Sequence, residues 1–346
     1  MTEAEWLTCG DPAPMLEVLP GKASVRSTLP GVLLASSASA NIAKQKSASM
    51  SNEQTASVAP EPRLGAVVAV VQVAVLAAPL FYLYGWLRGL VGLIANSVVP
   101  GMHPYMLVAA GVGIGVIMIV LYRIGVRLLE RRRVAEAFVS TGGRLAALGA
   151  LIGAALFCVM YAVFWWMGFA TFAGFRGFDG LPGELGEAIA SGIGEEVIVR
   201  GAVFRPLESA FGTLPALILS GSLFGVLHAN NPAATAISTV AIAVEAGLLL
   251  GLAYTATRSL WFPIGIHFGW NFTEGGIFNA VISGFPSNGI FSVPVSGPEI
   301  WTGGAFGPEA SIVSVVVSLV GATLIGWAAV RAGRWCRLRF AMRTKP

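Results

Sequence analysis

The chain has 346 residues, 55% of them hydrophobic and only 12% charged, with a mean hydropathy of +0.74. This composition excludes an ordinary soluble globular protein and points to an all-α, polytopic membrane protein. The formal net charge of +4 comes from Lys and Arg gathered beside apolar segments, which is a topology signal, so nucleic acid is set aside as a partner. Cys9, Cys158 and Cys336 are too scattered for a metal-thiolate site or a disulfide framework.

Residues 1–62 are rich in Ala, Ser and Pro and have no sustained apolar period, so they read as a disordered N-terminal extension. The apolar core of Gly31-Val-Leu-Leu, ahead of Ala38-Ser39-Ala40, is shorter than the roughly 7–15 residues of a signal peptide. Met50 offers a shorter translation product. From Arg63 onward the apolar runs approach the roughly 20 residues that a membrane helix needs. Eight spans are expected, at 64–86, 104–126, 145–170, 187–207, 213–229, 233–256, 260–282 and 309–331.

They organise the chain into two helices with a basic loop (63–144), a helical core (145–282), a non-cytoplasmic loop (283–308), and a last helix with a basic tail (309–346). The arginines set the orientation, because Lys and Arg collect in cytoplasmic loops. Arg123, Arg127, Arg131, Arg132, Arg133 and Arg144 follow the second span, and Arg331, Arg334, Arg337, Arg339, Arg343 and Lys345 follow the eighth. Eight spans put both clusters, Arg205 and Arg258 on one side and leave Ser259–Val330 without Lys or Arg. The expected location is therefore an integral, multi-pass protein of the plasma membrane with both termini cytoplasmic. GxxxG spacing at Gly111/Gly115, Gly149/Gly153 and Gly247/Gly251 permits close helix approach, and with it a homo-oligomer.

The fourth span carries Glu195, Glu196 and Arg200 in GIGEEVIVRGAVF. A charge at membrane depth costs roughly 2.5–3.5 kcal/mol on insertion scales, so its default reading is a functional site. Residues four apart share a helix face, which pairs Glu196 with Arg200 and leaves Glu195 free. Two of the three histidines also lie in apolar spans: His228, four residues after Phe224, and His267, four before Asn271. His103 lies in a loop and attracts no role. Each residue alone has a structural reading as a helix-bridging hydrogen-bond group. Together, a base-capable carboxylate, a second base and a donor pair supply what amide hydrolysis needs: water activation and oxyanion stabilisation. Glu245 is a further buried acid, better read as a structural or protonated carboxyl than as a site residue. Glu274 reads as a rim residue. Trp165, Trp166, Trp261 and Trp270 read as interfacial anchors or packing groups, and Phe172–Gly186 as a connecting loop.

The three motifs in this order, Glu195-Glu196-x-x-x-Arg200, Phe224-x-x-x-His228 and His267-x-x-x-Asn271, resemble the CAAX protease and bacteriocin-processing (CPBP, or Abi) family of intramembrane proteases, which are similar to type II CAAX prenyl endopeptidases. The resemblance covers about 145–282. It implies a membrane-embedded hydrolase that cleaves a membrane-associated protein or peptide. By that resemblance Glu195 and His228 activate water, His267 and Asn271 stabilise the oxyanion, and Glu196, Arg200 and Phe224 support them. The family has been described both with and without a metal. No HExxH occurs here, and zinc would consume Glu195, His228 and His267 as ligands, leaving no clear base, so no cofactor is expected. Two other functions stay open: a non-catalytic scaffold or bacteriocin-immunity protein, which has no need of the whole polar set, and a proton-coupled transporter, which calls for internal repeats that the sequence does not display.

Overall fold

A computed structural model of the chain describes residues 65–95 and 104–338. They belong to one compact helical unit. The N-terminal extension, Met50, His103, Arg339, Arg343 and Lys345 lie outside the described residues.

The elements run α1 (Ala66–Leu93), α2 (Pro104–Glu130), α3 (Val139–Trp166), α4 (Leu181–Glu196), α5 (Arg205–Phe211), α6 (Thr213–Leu227), α7 (Ala236–Ile242), α8 (Leu249–Thr257), α9 (Trp261–Asn271), α10 (Glu299–Thr302) and α11 (Ile312–Arg331). Helix α4 continues into α5 through a π-helical stretch, Val197–Phe204, and α7 into α8 through another, Ala243–Leu248. A third, Phe272–Ile277, extends α9. Beyond the helices there is a two-residue pairing of β1 (Gly174–Phe175) with β2 (Phe291–Ser292), antiparallel.

Among the described residues, five helical stretches are long and apolar enough to cross a membrane: Ala66–Leu93, Tyr105–Glu130, Gly142–Trp166, Ala236–Thr257 and Ile312–Arg331. The other three expected spans are helical too, but Thr213–Leu227 is short, the fourth carries Glu195, Glu196, Arg200 and Arg205, and the helix of the seventh ends at Ile277. The expected boundaries shift by a few residues. Helix α1 runs to Leu93 rather than 86 and so includes Arg88, while α3 ends at Trp166 rather than 170. Phe172–Gly186 is not a plain loop, since Gly174–Phe175 pair with a second strand and α4 begins at Leu181.

Glycine governs the tightest packing. A Cβ on Gly149 or Gly153 of α3 would strike the backbone of Phe262 and Ile266, and one on Gly265 or Gly269 of α9 would strike Ala146 and Ala150. Gly111 of α2 similarly meets the backbone of Gly186 on α4, and Gly247 meets Gly221 of α6. Gly115 faces Ile193 and Gly251 faces Leu217. All three GxxxG pairs are therefore used inside one chain, where the absence of a side chain lets a neighbouring backbone or side chain pack closely.

Arg132, Arg205, Arg258 and Arg334 gather at one end of the bundle. Arg205 pairs with Glu130, and Arg132 donates to Glu136 Oε1 and Oε2 at 2.6 and 2.9 Å. Arg258 pairs with Glu208 and donates to the Arg334 carbonyl. Burial alone would keep Glu136 neutral, but hydrogen bonds from Arg132 and the charge of Arg205 hold its carboxyl below the usual carboxylate range.

Candidate active site

Helix α4 places Glu195 and Glu196 about fourteen residues, or roughly 21 Å, from its start at Leu181. The two carboxyls diverge because adjacent positions are turned by about 100°. Glu196 is fully buried, and its Oε1 accepts from Arg200 Nη1 and His267 Nδ1, each at 2.9 Å. Arg200 is equally buried. Its Nη2 donates to the carbonyls of Ala246 and Gly247 at 2.8 and 3.3 Å, and its guanidinium lies 4.9 Å from the centre of the Phe224 ring. Those carbonyls sit in the π-helical stretch after α7, where the axial hydrogen-bond ladder is loosened. Arg200 thereby ties α4 to α6 and α7.

Glu195 instead faces a cavity of about 970 Å³ lined by α1, α2, α4, α6, α8 and α9. Its Oε2 lies 4.0 Å from His228 Nε2 and 3.9 Å from His267 Nε2. Those separations are too long for hydrogen bonds and suit a bridging water. Each imidazole is fixed from behind. Helix α6 ends at Leu227, and the last-turn carbonyl of Phe224 accepts from His228 Nδ1 at 2.8 Å. A carbonyl only accepts, so Nδ1 carries a proton, and in the neutral ring Nε2 presents its lone pair to the cavity. The Glu196 carboxylate fixes Nδ1–H of His267 in the same way. The Phe224 ring walls both imidazoles, with ring centroids 4.7 Å from His228 and 6.2 Å from His267.

Asn271, one turn after His267 on α9, also lines the cavity. Its Nδ2 donates to Ser191 Oγ at 3.1 Å, which orients the amide and leaves a second N–H. Glu195, His228, His267 and Asn271 thus border one space, brought there by α4, α6 and α9. Glu195 Oε2 and the two Nε2 atoms form a donor set, but their 3.9–4.0 Å spacing exceeds the about 3.4 Å edge of a tetrahedron with zinc bond lengths. Among the described residues no group of three or more His, Cys, Asp or Glu is placed to hold a metal ion.

Other residues depart from the sequence reading. Glu274 is not at a rim: it is completely buried, because the π-helical turn after Asn271 points it into the protein. Glu245 borders the cavity and accepts a hydrogen bond from Ser314, so it is a hydrogen-bonded carboxyl next to the site. Trp270 packs edge-on against Phe157 at 5.4 Å, whereas Trp166 is 86% exposed. Sequence reasoning missed Ser191, Tyr84 and Arg88 among the polar residues that line the cavity. Ser191 precedes Glu195 by four positions and shares its face, a spacing that would have found it. Tyr84 and Arg88, four apart on α1, carry the same signal, but on a helix without a motif. Tyr84 Oη donates to Glu195 Oε1 at 3.3 Å.

No curated protein and no solved structure matches the chain. Residues 182–273, which hold Glu195, Glu196, Arg200, His228, His267 and Asn271 but not α1, α2 or α3, match a family model. That model is described as type II CAAX prenyl endopeptidase Rce1-like, so over this stretch the chain is similar to that family, which is consistent with its CPBP resemblance.

Proposed function

We propose that the protein is an intramembrane endopeptidase in which Glu195 and His228 activate a water that attacks a peptide carbonyl of a membrane-associated protein or peptide. The observation that carries this reading is the convergence of Glu195 Oε2 and two oriented imidazole Nε2 atoms at 3.9–4.0 Å. A water held among them meets a carboxylate and a lone pair on His228, both able to take its proton as its oxygen adds to the carbonyl. The tetrahedral oxyanion is met by Asn271 Nδ2–H, which Ser191 holds in place, and by His267 Nε2–H. For that donation His267 carries protons on both nitrogens, with Glu196 at Nδ1 supplying the counter-charge. The proton gathered from water then passes to the departing amine as the C–N bond breaks. Arg200, Glu196 and Phe224 keep these groups in position.

The family name points to prenylated C-terminal substrates, and the apolar helices lining the cavity suit a lipid-modified chain. The basic end of the bundle fits the cytoplasmic side of a plasma membrane. A scaffold or immunity role would leave the two imidazoles turned toward Glu195 without use, and a proton-coupled transporter would need a symmetric repeat around the site. The test compares peptides from membranes containing the chain with those containing Glu195→Ala at equal abundance. A membrane-derived peptide that appears only with the unaltered chain supports the reading, and identical peptide populations contradict it.

A further inference from the structure

Glu195 is held by more than the matched domain. On α1, Tyr84 is 5% exposed and lies on the same buried stripe as Leu76, Ala77 and Leu80. Its ring lies against the backbone of α4 at Gly194, where any Cβ would collide with it. The residue immediately before the Glu pair is therefore a glycine for a stated reason: it seats Tyr84. From that seat Tyr84 Oη reaches Glu195 Oε1 at 3.3 Å. Arg88, one turn later, donates from Nη1 to the same phenol oxygen at 3.3 Å. Its other terminal nitrogen is paired with Glu187 of α4.

The direction of these bonds follows from donor chemistry. A guanidinium only donates, so the phenol oxygen accepts from Arg88 and its single hydrogen points to Glu195. Oε1 is then occupied, and Oε2 is the oxygen left for the histidines. Arg88 Nη1 also lies 3.9 Å from Glu195 Oε1, adding positive charge on the side away from the imidazoles.

We propose that Tyr84, backed by Arg88 and Glu187 and admitted by Gly194, is a positioning residue that fixes the Glu195 carboxylate with Oε2 toward His228 and His267. The inference rests on the proteolytic reading of the site and adds to it a helix, α1, that the family match does not include. Tyr84 acts through Glu195 and not on the substrate. Its loss should therefore lower turnover and leave substrate affinity in place.

The test uses the full chain, purified and reconstituted in lipid, with two readouts on Tyr84→Phe, which keeps the ring and removes the hydroxyl. The first is hydrolysis of an internally quenched, S-farnesylated peptide ending in a CAAX sequence. The expected result is an unchanged KM and a kcat lowered by about ten- to a hundredfold, the rate equivalent of one hydrogen bond to a charged group. The second needs no substrate: labelling of Glu195 by dicyclohexylcarbodiimide, which adds to a carboxyl that carries a proton. A carboxylate held by a donated hydrogen bond labels slowly, so Glu195 in Tyr84→Phe should label several-fold faster, with the exposed Glu299 unchanged. Arg88→Met should move both readouts in the same direction and keeps the ring of Tyr84 in place. Unchanged kcat with unchanged labelling in Tyr84→Phe overturns the proposal and leaves the proteolytic reading standing. Faster labelling in a chain that hydrolyses neither this peptide nor any membrane polypeptide upholds the positioning and sinks the proteolytic reading.

Discussion

Replacing Arg200 by Met is expected to unfold the site before it alters the chemistry. Arg200 and Glu196 are both fully buried, and the pair bridges α4 to α9 through His267 and to the π-helical stretch after α7 through Ala246 and Gly247. Met restores the volume but leaves the Glu196 carboxylate with His267 as its remaining partner, since Glu196 Oε2 has none among the described residues. Breaking one side of a buried ion pair costs about 3–5 kcal/mol. The two carbonyls that lose their donor place Arg200→Met in the upper part of that range. At about 2–4 °C per kcal/mol for a chain of this size, the melting temperature should fall by about 10 °C or more. Glu196→Gln should fall less, because the amide oxygen still accepts from Arg200. The double variant removes both charges together and should recover much of the summed loss, the signature of a coupled pair. Thermal unfolding of the four proteins in one detergent, with abundance in membranes, reads this directly. Single variants that melt with the parent, or a strictly additive double variant, would refute the view that the pair is a buried bridge.

Asn271→Ala should lower turnover by about a hundredfold to a thousandfold, the loss typical of one oxyanion donor, with KM little changed in steady-state assays. Chelators should leave the activity of purified protein intact, and inhibition reversed by stoichiometric zinc would recast Glu195 and the histidines as ligands. Gly153→Val should destabilise by about 1–3 kcal/mol or prevent accumulation, because its side chain meets the Ile266 carbonyl; normal melting would show that α3 and α9 can separate. Glu136, held below the usual carboxylate range, stabilises the folded state above the unfolded carboxylate value of about 4.3, and that contribution disappears as pH falls through the lower folded value. Melting temperature should therefore drop on acidification below about pH 4.5 more steeply in the parent than in Glu136→Gln, and equal slopes would remove Glu136 from the acid response.

Most of the helices could be read from the sequence because apolar runs of membrane length leave few alternatives. The division of labour between Glu195 and Glu196 followed from helical spacing, and the structure places Glu196 against Arg200 and Glu195 toward the cavity. What spacing could not give is whatever depends on contacts between helices far apart in sequence. Tyr84 touches Glu195 across 111 positions, and nothing on α1 marks that tyrosine as different from Tyr82, which is 75% exposed. Glu274 misled because a regular helix would carry it toward the end of its span, whereas the π-helical turn after Asn271 rotates it inward. The GxxxG pairs show another limit of spacing. The motif reports that two backbones approach closely but not whether the second belongs to the same chain, and here it does.

In the proposed reaction Glu195 delivers a water to a peptide carbonyl. The most direct measurement is peptide analysis of membranes incubated in water enriched in oxygen-18, with the unaltered chain and with Glu195→Gln at equal abundance. The expected cleavage products have new C-terminal carboxylates that each carry one oxygen-18 from solvent, present with Glu195 and nearly absent with Gln. The same labelled products at the same rate from both chains would contradict the proposal.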